Sequence, residues 1–172
     1  MTNAGGKLDK ELYLDINKLR RLNLTTEPKF ILESQPFNSD DEEEASATSK
    51  DIIVTGRIFP NSDIYKNGSY KIEMKLTPTF PFDPPEVRFL TKIYHPNVGQ
   101  DGKLCHELLN KKGKWSAKIS LVDVVKAVTT HVDEPNIDYA LSLELGREYM
   151  SNRDEFNRKA TDFVKQYALP RS

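Results

Sequence analysis

The stretch Lys92–Trp115, KIYHPNVGQDGKLCHELLNKKGKW, lies between two parts of the chain with different periodicities, and its place between them decides the fold. It is irregular itself. A proline-fixed His95-Pro96-Asn97 turn is followed by the turn pair Asp101-Gly102 and then by Cys105, the only cysteine in the sequence.

Upstream, apolar residues alternate as they do in strands. Tyr70, Ile72, Met74 and Leu76 stand against Lys71, Glu73 and Lys75, which predicts a strand with one wet face. Asp51–Phe59 is β-rich, Phe30-Ile31-Leu32 begins an earlier strand after Glu27-Pro28, and Val87 and Phe89 belong to a fourth. Between the third and fourth strands, Thr77–Pro85 carries four of the ten prolines and makes a stiff loop that presents Phe80 and Phe82.

Downstream the spacing becomes helical. Ser120 with Asp123 reads as a capping box ahead of Leu121, Val124, Val125, Val128 and Val132, a buried helix that Asp133-Glu134-Pro135-Asn136 stops. A second helix is predicted over 138–149 from Leu141, Leu145 and Tyr149. A third is predicted over 152–167 from Phe156, Ala160, Phe163, Val164 and Tyr167. At the other end, Leu8, Leu12, Ile16 and Leu19 predict a first helix from Lys7 to about Leu22, closed off by Glu27-Pro28, with Lys7, Lys10, Lys18, Arg20 and Arg21 largely on its outer side. The order is helix, four-stranded antiparallel meander, irregular segment and three helices, an α+β fold.

The 172 residues, 37% hydrophobic and 30% charged, fit one domain over 1–172. The acidic run Asp40–Glu44 and the small polar residues after it predict a mobile, negatively charged loop at 38–50. With 25 Lys+Arg against 26 Asp+Glu, the formal charge of −1 gives no global field for nucleic acid or an anionic membrane. A lone cysteine forms no internal disulfide and no thiolate metal site. No apolar run reaches membrane-span length and the N-terminus lacks a secretory h-region, so the expected location is intracellular, cytoplasmic or nuclear.

The thiol segment admits several readings. Cys105 sits in a polar, irregular setting beside His106 and Glu107 rather than on an apolar face, which points to reactivity over inert packing. The Asn97 amide either pins its turn or donates to an oxyanion formed beside Cys105, and the two are compatible. His95 and His106 suggest a Cys-His hydrolase, although neighbours in sequence need not meet through their side chains. His131, among valines, reads as structural.

On FPFDPPEVRF, TKIYHPN, the cysteine after DGKL, Trp115 and DEPN, the chain resembles the ubiquitin-conjugating enzymes from about Lys7 to Tyr167. The resemblance implies that Cys105 forms a thioester with ubiquitin or a ubiquitin-like modifier received from an activating enzyme. It implies that Asn97 supports the loop and the oxyanion, and that His95 and Pro96 are structural. It also implies docking of activating enzyme and ligase (HECT, RING or RING-between-RING type) through Phe82, Trp115, Ser116, Ala117 and the basic first helix with Lys7, Lys10 and Lys18. Of the two phenylalanines it favours Phe82 for exposure and Phe80 for packing. No cofactor or metal is expected in the chain, ATP being used by the activating enzyme, and the chain is expected to act as a monomer. A second reading is a non-catalytic binding module of the same fold. The chain departs from the family pattern at His106, at Ser116-Ala117-Lys118, in the basic insertion Asn110–Lys114, and at Tyr139, where many members carry an aspartate. Asp138 is one position out of register with that aspartate and is expected to point elsewhere.

Overall fold

The computed structural model describes residues 3–25, 27–36 and 51–171, with side chains from residue 10 onward. The acidic run at 38–50 lies outside the described residues, as does the side chain of Lys7. The elements are α1 (Asn3–Arg21), β1 (Phe30–Ser34), β2 (Ile52–Ile58), β3 (Tyr70–Leu76), β4 (Glu86–Phe89), α2 (Leu121–Asp133), α3 (Leu143–Ser151) and α4 (Arg153–Tyr167). The four strands form one antiparallel meander in the order β1-β2-β3-β4. This is the α+β architecture expected from the change of periodicity.

The alternation in β3 sets the sheet's buried face. Tyr70, Ile72, Met74 and Leu76 are buried while Lys71, Glu73 and Lys75 are half-exposed, and Val87 and Phe89 of β4 continue the buried face. Between β1 and β2 the backbones come close at Gly56, where a Cβ would stand 2.2 Å from the Phe30 ring and 2.6 Å from the Ile31 carbonyl oxygen. Only glycine fits that contact.

Leu12, Ile16 and Leu19 of α1, Leu121, Val124, Val125, Val128 and Val132 of α2, and Phe156, Ala160 and Val164 of α4 join the sheet's buried side chains in one core. Removing such aliphatic side chains from water stabilises the fold by roughly 1.5–3 kcal/mol each before chain entropy is counted. The start of α2 is held from within and from outside. Ser120 and Asp123 form the reciprocal capping box, and the Asp15 carboxylate of α1 accepts the Leu121 N–H at 3.1 Å. Helix α2 is therefore fixed at the end remote from the thiol segment, which meets its C-terminal half.

One helix boundary falls where the sequence places it and one element differs. α1 ends at Arg21 and gives way to a 3-10 turn, Leu22–Leu24, closed by the Thr25 hydroxyl donating to Leu22 O at 3.0 Å and by the Thr25 N–H on the same carbonyl. The helix thus ends where the apolar spacing ends, next to the expected Leu22. The helix expected over 138–149 is two elements, a 3-10 turn at Ile137–Tyr139 and α3 from Leu143. Asn136 caps the first through Asp138 N and Ser142 caps the second through Leu145 N, while the Leu141 N–H leaves the helical ladder to donate to Pro96 O at 2.9 Å. Leu141, expected on a buried helical stripe, is exposed in this linker.

Candidate active site

The His95-Pro96-Asn97 turn is fully buried and fixed by its own side chains. His95 Nδ1 accepts the Asn97 N–H at 3.0 Å, and Nε2 donates to the carbonyls of His131 and Val132 at the end of α2, both at 3.2 Å. Because carbonyls only accept, the ring is the neutral Nε2–H tautomer. Burial, followed by the neighbouring His131, lowers its pKa to about 3. With both nitrogens engaged, His95 has no lone pair left for a thiol.

The Asn97 amide is also engaged. Its Nδ2 donates to Asn136 O at 2.6 Å and its Oδ1 accepts the Asn136 N–H at 2.9 Å, a reciprocal pair that ties the turn to the segment after α2. The pinning role is therefore present in the structure, and one of the two Nδ2 hydrogens is used for it.

Beyond the turn the chain runs along the edge of the sheet. Gly99 and Lys103 close the Asp101-Gly102 turn, and Gly102 takes a φ of +87° with a Cβ position 2.2 Å from Phe89 O, a place only glycine fills. Phe89 N donates to Gly102 O and Leu104 N to Val87 O, so the segment pairs with β4 up to the residue before the cysteine.

Cys105 follows as a half-buried free thiol. Its N–H donates to Asn97 O at 3.2 Å, and its carbonyl accepts from His131 Nε2 at 3.0 Å. Both main-chain groups are engaged, one with the turn and one with α2, and only the sulfur is left over. Among the described residues no imidazole hydrogen-bonds that sulfur. His131 is buried and directs its Nε2–H to the carbonyl, and burial with the nearby His106 lowers its pKa to about 4. His106 accepts the Leu108 N–H on Nδ1 at 2.9 Å, so its neutral ring carries the proton on Nε2 and offers no base there. It stands edge-on to His131 with ring centroids 4.5 Å apart, and burial pulls its pKa down. The Cys-His hydrolase arrangement is not assembled.

Two residues beyond the cysteine, Glu107 joins two groups. Its Oε2 accepts the Tyr139 hydroxyl at 3.4 Å and its Oε1 pairs with Lys114 Nζ at 2.8 Å. Lys114 holds the Glu107 carboxyl below the usual range, while burial and then Glu107 push the Tyr139 hydroxyl up. Asp138 is exposed and makes no ion pair among the described residues, its N–H donating to Asn136 Oδ1.

On the proline-rich side, Phe82 is 68% exposed, whereas Phe80 packs with its ring centroid 6.2 Å from that of Trp115. The Trp115 side chain is buried and its indole N–H donates to Pro81 O at 3.0 Å, so it braces the two loops against each other. Ser116, Ala117 and Lys118 of its loop are exposed, and the Lys111–Asp83 ion pair at 2.7 Å adds a second tie. Lys10 and Lys18 are exposed on α1.

Sequence reasoning missed Asn136, the His131 bond to Cys105 and the Glu107–Lys114 pair. A buried Asn97 demands a partner, but nothing in the order of residues says that the partner is a backbone beyond α2. No helix among the described residues is long and apolar enough to cross a membrane, and no group of His, Cys, Asp and Glu among them is arranged to hold a metal. Residues 20–164 match the family model described as ubiquitin-conjugating enzyme. With the helix–meander–helices order, the buried His-Pro-Asn turn and the single thiol it holds, the chain belongs to the ubiquitin-conjugating enzyme family.

Proposed function

We propose that this chain takes the C-terminal carboxyl of ubiquitin, or of a ubiquitin-like modifier, from an activating enzyme onto Cys105 and passes it to a ligase cysteine or a substrate lysine. Family membership implies dealings with ubiquitin-like proteins, activating enzymes and ligases in general. The finer reading rests on one observation, the bonding of Cys105. Its N–H and carbonyl are tied to Asn97 and His131, which leaves the sulfur as its one uncommitted polar atom.

In the charging step the sulfur attacks the activating enzyme's thioester, a new C–S bond forms, the old one breaks, and the activating enzyme's thiol is released with the proton. One thioester replaces another, so the step is close to isoenergetic and asks the protein mainly for positioning. In the transfer step a tetrahedral oxyanion forms. The Asn97 amide keeps a second Nδ2 hydrogen beyond the one given to Asn136 O, and we assign that donor to the oxyanion, a role worth about 3 kcal/mol in comparable sites.

Ligase and activating-enzyme docking is assigned to Phe82, Ser116 and Ala117 and to Lys7, Lys10 and Lys18 of the first helix, with Trp115 holding its loop in place from below. Tyr139 stands where a carboxylate would prepare an incoming amine, so direct transfer to free lysine is slow and a thiol acceptor is preferred.

The test is a charging assay with activating enzyme, ATP and ubiquitin or its relatives. Wild-type protein gains a thiol-labile adduct, Cys105→Ser gains a thiol-resistant ester, and Cys105→Ala gains neither. Normal charging of the alanine variant overturns the reading.

A further inference from the structure

An amine that attacks a thioester on Cys105 arrives as an ammonium and has to be seated beside the sulfur before it loses its proton. The carboxylate nearest in sequence to that place is Glu107, two residues beyond the cysteine. One of its oxygens accepts from Tyr139, and the Tyr139 ring stacks on that of His106, the residue next to the cysteine, with centroids 6.4 Å apart. Carboxylate and hydroxyl therefore lie together on the short segment that follows the thiol. The other oxygen already holds an ammonium, that of Lys114, at 2.8 Å, with the two side chains 37% and 69% exposed.

We propose that Glu107 is the seat for the ammonium of a lysine acceptor, and that Lys114 fills this seat in cis, so that transfer to lysine requires Lys114 to be displaced while transfer to a thiol does not. The proposal rests on the reading of Cys105 as the thioester site. Lys114 Nζ and an acceptor Nζ are the same chemical group, so they compete for the same oxygen. The seat is charged at neutral pH because Lys114 first, and Tyr139 after it, stabilise the carboxylate form. A carboxylate so stabilised is a weak base, and its part is to hold and orient the cation while water takes the proton. The neutral amine then attacks the carbonyl carbon, the C–N bond forms, the C–S bond breaks, and the departing sulfur ends as a thiol with the amine's second proton. Tyr139 keeps its own proton, which it directs at Glu107. A thiol acceptor brings no cation and has no use for the seat.

This explains how a member of the family with tyrosine at position 139 keeps a carboxylate near the thiol and yet disfavours lysine. The carboxylate comes from position 107, and the basic insertion Asn110–Lys114 supplies its occupant.

The experiment uses enzyme charged with ubiquitin, freed of activating enzyme and chased with either free lysine or a small thiol carrying no amine. The readout is the ratio of the lysine rate to the thiol rate. Lys114→Met raises this ratio by about two- to fivefold, the upper part of the range for one exposed ion pair. Glu107→Gln in the Lys114→Met background removes the gain, chiefly by raising the apparent KM for lysine. A ratio that Lys114→Met leaves unmoved, or a gain that survives Glu107→Gln, overturns the proposal. Charging is scored first on the same samples. Failure of the wild type to charge overturns the thioester reading and this one with it, whereas normal charging with an unmoved ratio overturns this one alone.

Discussion

Two histidines kept neutral inside the fold make stability fall on mild acidification. The perturbation is a shift from about pH 8 to about pH 5. His95 is fully buried and His131 is 4% exposed, and their folded pKa values, about 3 and about 4, lie below the ordinary 6.5 that each regains when the chain unfolds. For a base whose folded pKa is depressed, the unfolded state binds the proton first, so stability is lost as pH falls below 6.5 and the loss levels off only near the folded pKa. At about pH 5 each histidine is protonated in the unfolded chain and still neutral in the folded one, which costs about 2 kcal/mol apiece and about 4 kcal/mol together. Carboxylates held low, such as Glu107, Glu148 and Glu155, add their losses only below their ordinary 4.5, whereas burial also lowers His106, in the same sense as the other two rings, and raises the Asp15 carboxyl, in the opposite sense. Urea unfolding at the two pH values measures the loss, and His131→Gln should remove about half of it. Equal stability at both pH values, or an undiminished loss in the glutamine variant, would refute the argument that desolvation keeps these rings neutral.

Two neighbouring aromatic positions should separate docking from bracing. Phe82→Ala, at a side chain 68% exposed, changes unfolding free energy by no more than about 0.5 kcal/mol while weakening ligase binding, whereas Trp115→Phe leaves Pro81 O without its indole donor and costs about 1–3 kcal/mol in urea unfolding. If Phe82→Ala destabilised the protein as much as Trp115→Phe, the docking assignment would lose its basis. At the far end of α2, Asp15→Ala removes the carboxylate that accepts Leu121 N–H and lowers stability by about 1 kcal/mol, read by the same unfolding experiment.

The sequence exposes what is local and hides what is brought together from far apart. The alternation of β3, the capping box at Ser120 and the valine stripe of α2 each need only a few consecutive residues, and each stands in the structure as read. The segment after α2 was misread because Leu141, Leu145 and Tyr149 keep helical spacing across a break. Two capping residues, Asn136 and Ser142, start separate elements there, and the backbone between them bonds to Pro96 instead of to itself. The same linker explains why the role of Asn97 stayed open. An amide's function depends on what faces it, and here that is the backbone of a residue 39 positions away. His131 was recognisable as structural from its valine neighbours, but its bond to the Cys105 carbonyl follows from packing α2 beneath the thiol segment, which no spacing encodes.

These long-range bonds explain why the cysteine needs so little chemistry around it. The turn side of Cys105 is set by Asn97, itself fixed by His95 and by Asn136. The other side is set by His131, on a helix anchored at its far end through Leu121 by Asp15. Each bond made to the cysteine backbone removes a way for the sulfur to move without adding a group that reacts with it. That division suits exchange between thioesters, where geometry matters more than activation. On the proposed carrier function, it also moves the choice of acceptor away from the nucleophile and onto its surroundings. If Glu107 is vacated more readily in one state than another, for instance when a partner draws Lys114 onto its own acidic surface, the preference between lysine and thiol shifts with no change at Cys105. The Lys114→Met variant imitates that state. Its lysine-to-thiol ratio should then be insensitive to such a partner, while that of the wild type should rise on binding.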